Sequence, residues 1–272
     1  MKRKGITIFI QISIWVVSLG IVGISLGFTE KQRKQQQCQH ILIRINDSSI
    51  NHFIEPNDIL QLLKDKNYKI INTNINNLPL NTMEQEIKNL SVVKDAQVYT
   101  TLDGNLCIEI KQRTPMFRIM NYSGESYYID EDGVLFPLSD KYTARVLVVS
   151  GSINEPYGIF CGKKAQDAEK QDALHRATLL DDVFALCHYI YNDSIWNPMI
   201  EQVYVNEDQQ FELIPKIGDI TILFGDTSNM ESKFNKLYAF YSVVLPRVGW
   251  NAYKKVNLMF DKQIVCSKNI MP

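Results

Sequence analysis

An uninterrupted apolar run near the amino terminus constrains this 272-residue chain more than any other feature. No charged side chain occurs from Gly5 to Thr29, and Lys2-Arg3-Lys4 sits directly before the run. A helix over Ile6 to Phe28, rising about 1.5 Å per residue, is roughly 34 Å long, enough to cross a hydrocarbon core of about 30 Å. The segment lacks the polar stripe of a soluble amphipathic helix. It reads as a membrane anchor that places Ile6, Phe9, Trp15, Leu19 and Phe28 in the lipid bilayer. A cleaved signal peptide would have a shorter apolar region closed by an Ala-x-Ala-like site. This run contains no alanine, although Gly23, Ser25 and Gly27 leave cleavage open. Lys2, Arg3 and Lys4 precede the run, and Lys31, Arg33 and Lys34 follow it, so the positive-inside rule gives a narrow margin. A short cytoplasmic tail with an exported body is the better fit.

Beyond the anchor the chain is of mixed polarity. Apolar residues make up 45% and charged residues 22% of the whole, so a packed core is feasible. The net charge of −1 leaves no basic field for nucleic acid. Cys38, Cys107, Cys161, Cys187 and Cys266 are odd in number and show no C-x-x-C spacing. They read mostly as buried small hydrophobes, with one or two disulfides left open.

Residues 30–38 form a polar stem. His40 to Ile45 reads as a strand. Glu55-Pro56-Asn57-Asp58 opens a helix, with proline in the first turn and acidic groups at the positive dipole end. Asn81-Thr82-Met83-Glu84 resembles a capping box opening a second helix that ends near Leu90. Val92–Thr101 and Leu106–Gln112 alternate as strands around Asp103-Gly104, a hairpin signal. The order is β-α-α-β-β, interrupted at Pro115.

A second hairpin follows, Ser126–Ile129 and Val134–Phe136 around Asp130–Gly133. Arg145–Val149 reads as a strand. Ala168–Tyr191 reads as a helix with Ala173, Ala177, Leu180, Phe184, Cys187 and Tyr191 on its apolar face. Strand-like runs come next at Gln202–Val205, Gln210–Ile214 and Asp219–Phe224. A helix from Asn229 to Leu245 carries Phe234, Leu237, Tyr238 and Tyr241 on one side and stops at Pro246. Tyr253–Phe260 and Gln263–Ser267 are the last strands.

The search for chemistry returns structural readings. Ser91-Val92-Val93-Lys94 has the S-x-x-K spacing of a serine nucleophile, but it falls where a helix gives way to a strand. His175 and His188 are not spaced as a metal pair, and Cys187 and His188 are neighbours that do not face each other on a helix. His40 and His52 are isolated. No phosphate-binding glycine loop or G-x-S-x-G occurs. Asp130-Glu131-Asp132 reads as a turn and Asp181-Asp182 as a solvated helix face. The sequence thus implies no enzyme, cofactor, metal or small-molecule substrate. What remains is small mixed sheets with edges, which offer backbone groups to another chain.

The order of parts resembles the FtsQ/DivIB family of bacterial cell-division proteins, in which the first module is a POTRA domain. Leu90-Ser91-Val92-Val93-Lys94-Asp95-Ala96-Gln97-Val98 is similar to that family's helix-to-strand passage. Ile108 to Pro115 resembles its strand ending in a charged residue and x-Pro, and Tyr127 to Phe136 its "yyiD-x-x-G-x-x-f" hairpin. Ile222-Leu223-Phe224-Gly225, followed by the helical Lys233, is similar to its "v-x-l-G" strand. In place of its late "iDlRy" this chain has Val256-Asn257-Leu258-Met259-Phe260, so the Asp and Arg are replaced. The insertion around Pro156–Gln171 loosens the match.

The resemblance implies an α+β architecture: a single N-terminal transmembrane helix, a POTRA-like β-α-α-β-β domain, and a larger mixed α/β domain with a multi-stranded sheet and two amphipathic helices. The expected divisions are a cytoplasmic tail at 1–5, a transmembrane helix at 6–28, the stem at 29–38, the POTRA-like domain at 39–113, the C-terminal β-domain at 114–267 and a tail at 268–272. It further implies a non-enzymatic divisome scaffold in the cytoplasmic membrane. The N-terminus would lie in the cytoplasm and the main domain outside, at the septum. FtsB-like and FtsL-like single-pass proteins would be its partners, recruited by strand addition at Phe260, Asp261, Lys262, Gln263, Ile264, Val265 and Cys266. Phe260 would be the aromatic anchor, and Lys262 would meet an acidic residue of the partner. The alternative is a POTRA-type envelope transport or outer-membrane assembly factor, a class that usually carries several such modules or a β-barrel.

Overall fold

The computed structural model describes residues 36–46, 52–154 and 179–269, together with Trp15, Ser18 and Gly20. The expected anchor residues Ile6, Phe9, Leu19 and Phe28 lie outside the described residues, as do Cys161, His175 and positions 168–178 of the expected long helix. Trp15 is helical and exposed. Among the described residues no helix is long and apolar enough to cross a membrane. The chain divides into two compact units at Lys111/Gln112, with the short segment Ser49–Phe53 belonging to the second.

The first unit follows the order in the sequence: β1 (His40–Asn46), α1 (Pro56–Asp65), α2 (Leu80–Lys88), β2 (Val93–Thr100) and β3 (Asn105–Gln112). The Glu55 N–H donates to the Asp58 carboxylate at 2.8 Å, closing the start of α1. The capping box expected at Asn81–Glu84 does not form. α2 starts at Leu80, after Pro79. The Glu84 carboxylate instead takes the Lys88 ammonium at 2.9 Å and the Val98 N–H at 3.1 Å, tying the helix to β2. The sheet order is β1-β3-β2, with β1 and β3 parallel from His40↔Asn105 to Asn46↔Lys111. Ile59 and Leu63 of α1 and Met83 and Ile87 of α2 pack with Leu106, Ile108 and Ile110 in one core. Gly104 makes the β2–β3 turn at φ +81°, and a Cβ there would lie 2.9 Å from the Gln37 carbonyl oxygen, so only glycine fits without strain.

The second unit is one nine-stranded sheet with helices filling its crossovers. Its strands are β4 (Pro115–Met120), β5 (Ser126–Asp130), β6 (Leu135–Pro137), β7 (Leu147–Gly151), β8 (Ile200–Val205), β9 (Phe211–Pro215), β10 (Thr221–Gly225), β11 (Tyr253–Asn257) and β12 (Val265–Lys268). They lie in the order β12-β11-β10-β9-β8-β7-β4-β5-β6. The β-α-α-β-β pattern ends before Pro115 as expected, and the proline is the first residue of β4, a position where it costs no internal ladder bond. β7 and β8 are parallel, joined by a connection containing α3 (Leu179–Asn192) and α4 (Trp196–Met199). β10 and β11 are parallel, joined through α5 (Met230–Ala239), a π-helical turn (Phe240–Val244) and α6 (Leu245–Val248). The expected stop at Pro246 is therefore displaced. The proline occupies the first turn of α6, where its missing N–H is not needed, and the helix ends before Gly249 at φ +91°.

The core of this unit gathers Phe117, Tyr127, Val203, Leu213 and Ile222 from the strands with helical side chains. The buried face of α3 is Leu180, Val183, Leu186, Cys187 and Ile190. Phe184 and Tyr191, expected on that face, are only half-buried. On α5 Phe234 and Leu237 are buried, whereas Tyr238 is exposed. Leu180, Cys187, Phe234 and Leu237 are buried as expected, and the faces differ from expectation at their margins, because turn-to-turn spacing fixes a stripe but not which neighbour covers it.

Candidate partner-binding edge

An open sheet ends in strands whose outer backbone groups have no ladder partner. In the nine-stranded sheet those strands are β6 and β12. β12 is antiparallel to β11, from Tyr253↔Lys268 to Asn257↔Val265, and among the described residues no strand pairs with its other side. Ile264 and Cys266 are half-buried and pack toward the core, while Val265 and Ser267 are exposed. Burial pushes the Cys266 thiol above its ordinary range, so at neutral pH it packs as an uncharged group.

The residues leading into β12 are not a continuation of β11. β11 stops at Asn257, three residues before the expected end at Phe260. Leu258 is buried, and its N–H still donates to the Leu223 carbonyl at 3.0 Å. The Asn257 side chain accepts the Met259 N–H at 2.9 Å. Asn257 thus caps the end of β11 with an uncharged side-chain acceptor. Phe260 is 46% exposed, and Lys262 reverses the chain in the left-handed region at φ 57°. Of the seven residues expected at the edge, Val265 and Cys266 lie in the strand. Phe260, Asp261 and Lys262 form the turn before it, and Gln263 and Ile264 join the two.

Helix α5 holds this turn through Lys236 and the neighbouring Asp226 loop through Lys233. The Lys236 ammonium donates to the carbonyls of Leu258 and Phe260, both at 2.7 Å. Lys233, one turn earlier and buried, donates to the Asp226 carbonyl at 2.9 Å and its carboxylate at 2.7 Å, and lies 5.1 Å from the centre of the Phe224 ring. Hydrogen bonds from Lys233 and then Ser228 hold the Asp226 carboxyl down at about 2. Met259 lies against Gly225, where φ is +81° and an added Cβ would come within 2.8 Å of its side chain. A cavity of about 470 Å³ opens here, with Asp226, Ser228, Ser232, Phe260 and Asp261 in its wall. Sequence reasoning singled out Lys233 and Phe260 but missed Lys236 and the Gly225–Met259 contact. The available signal was a second lysine three residues after the first, on a helix whose apolar face holds Phe234 and Leu237.

Elsewhere, the reactive-looking side chains have structural surroundings. Ser91 sits in the turn before β2 and Lys94 within that strand. His188 stacks on Phe184 at 5.6 Å and lies 3.1 Å from the Asn192 amide. The buried Asp130 takes the Arg113 guanidinium at 2.7 Å and the N–H groups of Asp132 and Val134, which makes it the keystone of the β5–β6 turn. Among the described residues no group of three or more His, Cys, Asp or Glu side chains is placed to hold a metal ion.

Comparison with known families agrees with this architecture. Residues 36–111 match the POTRA-like domain, and residues 114–267, more than half of the chain, match the family described as FtsQ/DivIB, C-terminal related. No curated protein matches the chain. The chain belongs to the FtsQ/DivIB family, which suggests a role as a cell-division scaffold.

Proposed function

We propose that this protein is a non-enzymatic, bitopic scaffold of the bacterial divisome. It recruits FtsB-like and FtsL-like single-pass partners to the septum by adding a partner strand to β12. The observation that carries the reading is the outer side of β12, unpaired among the described residues and, but for Lys268, inside the family-matched region. Backbone donors and acceptors of such an edge supply affinity, and alternate side chains set the register. Here the outward side chains are Val265 and Ser267, with Phe260 exposed in the preceding turn as an apolar anchor. The apolar run Ile6 to Phe28 and its basic flanks support an anchor in the cytoplasmic membrane with the body outside.

The test is a proline scan, one position at a time, through Val265, Cys266, Ser267 and Lys268. Proline removes a backbone donor and blocks strand addition at that point. Pull-down of the FtsB-like protein of the same cell should be lost at the positions whose N–H faces away from β11, with circular dichroism unchanged. Wild-type capture by all four folded variants would mean that the partner docks elsewhere.

A further inference from the structure

We propose that Lys236 is a positioning residue for the β12 edge: its ammonium orders the Leu258–Lys262 turn so that Phe260 and β12 are presented in binding geometry before a partner arrives. This inference rests on the reading of β12 as the partner edge. After Asn257 the chain leaves the ladder, and two independent contacts hold its first residue: the buried Leu258 side chain and the Leu258 N–H bond to Leu223. Beyond Leu258 the turn has few anchors. Met259, Phe260, Asp261, Lys262 and Gln263 are all exposed.

The carbonyls of Leu258 and Phe260, two residues apart, converge on one ammonium at 2.7 Å each. Such charge-assisted bonds are short and about twice as strong as neutral ones. They are made by a side chain from a different element, α5, whose Phe234 and Leu237 are fixed in the core. Lys236 therefore ties the crossover helix to a turn whose other holds, the Asn257 bond to the Met259 N–H and the Met259 contact with Gly225, stop at Met259. Lys262 then reverses the chain at φ 57°, and β12 begins three residues later. The neighbouring Lys233 holds a different loop, at Asp226, so the two lysines divide their work.

Without the clamp, Leu258 stays buried and the fold survives, but the turn from Met259 onward samples many conformations. A partner must then bind a competent fraction, and the apparent dissociation constant rises in inverse proportion to that fraction. The prediction differs from that for a residue that merely stabilises the fold, because edge order and affinity change while global unfolding does not.

The experiment uses the full chain in detergent micelles, with the FtsB-like protein of the same cell as the probe. Lys236→Met keeps the apolar stem and removes the donors, whereas Lys236→Arg keeps the donors and the charge. In Lys236→Met, amide exchange over residues 259–268 should quicken and partner affinity should fall about tenfold if about a tenth of the molecules stay ordered. The thermal midpoint should move by no more than about 2 °C. Lys236→Arg should restore both order and affinity. Should Lys236→Met not fold, Lys236→Gln, whose shorter amide cannot span both carbonyls, is read in the same way. Faster exchange with unchanged affinity would overturn the proposal. So would lost affinity with unchanged exchange, which would place Lys236 in direct contact with the partner. If the β12 prolines abolish capture and Lys236→Met does not, the positioning role alone fails. If the prolines also leave capture intact, the edge reading fails first.

Discussion

The two edges of the nine-stranded sheet are built in opposite ways. β6 is three residues long, ends on Pro137, and has Leu135 and Phe136 fully buried. Its end of the sheet is covered on both faces: Tyr127, Ile129 and Leu135 join the main core, while Phe53 packs against Tyr128 and Phe136 at 5.6 and 5.7 Å. A short edge, a proline and covered faces are the usual means of blocking unwanted pairing. β12 is also short, but it carries no proline and only the Ile264 and Cys266 side packs against the core. Its four residues are exposed or half-buried, and the turn before it presents an exposed phenylalanine. Among the described residues one sheet thus covers one edge and leaves the other more exposed, and the proposed partner strand adds at the exposed one.

The same substitution at the two edges gives the sharpest contrast. Phe136→Ala should destabilise the second unit by about 3–5 kcal/mol, as for other buried aromatics. Phe260→Ala should stay within about 0.5 kcal/mol, the range of surface changes, while weakening partner capture. Chemical denaturation of both variants checks this, and similar losses at the two sites would break the comparison.

A smaller effect is expected on the crossover leading to the open edge. The Tyr241 hydroxyl is buried with no hydrogen-bond partner among the described residues, beside Trp196 and Trp250. Tyr241→Phe should stabilise the protein by about 1 kcal/mol, since an unsatisfied buried group costs about 1–3 kcal/mol. Burial also pushes this phenol up to about 12. Because burial penalises the phenolate, the folded state is undiminished by this group below its ordinary value of 10.0 and loses stability as pH climbs from 10.0 to about 12. Alkaline unfolding curves of Tyr241→Phe should therefore fall less steeply in that window.

The smallest effect concerns the loop that Lys233 holds. The Asp226 carboxyl is depressed from 3.8 to about 2, so its contribution is present above pH 3.8 and lost as pH falls from there toward 2. A carboxyl titration followed by NMR should give a value near 2, rising toward 3.8 in Lys233→Met. A midpoint near 3.8 in the wild type would show that Lys233 does not hold the loop in solution.

What could be read from the sequence was local. The start of α1 at Pro56, the Gly104 turn and the Asp130–Gly133 hairpin each rest on residues a few positions apart, and each appears in the structure. The readings that moved depend on distant parts. Pro246 is passed because the π turn shifts it into the first turn of α6. β11 ends at Asn257, and the carbonyls of Leu258 and Phe260 turn instead to Lys236, more than twenty residues earlier. The candidate edge was legible as a region around Phe260–Cys266, but not its division into a clamped turn and a four-residue strand.

The most direct test of the open-edge account is amide hydrogen exchange on the full chain with and without the FtsB-like partner. The account predicts that the amides of Val265–Lys268 facing away from β11 gain strong protection on binding, while β6 from Leu135 to Pro137 is unchanged. Protection that appears at β6, or in the first unit at β1 or α1, with β12 exchanging as before, would contradict it.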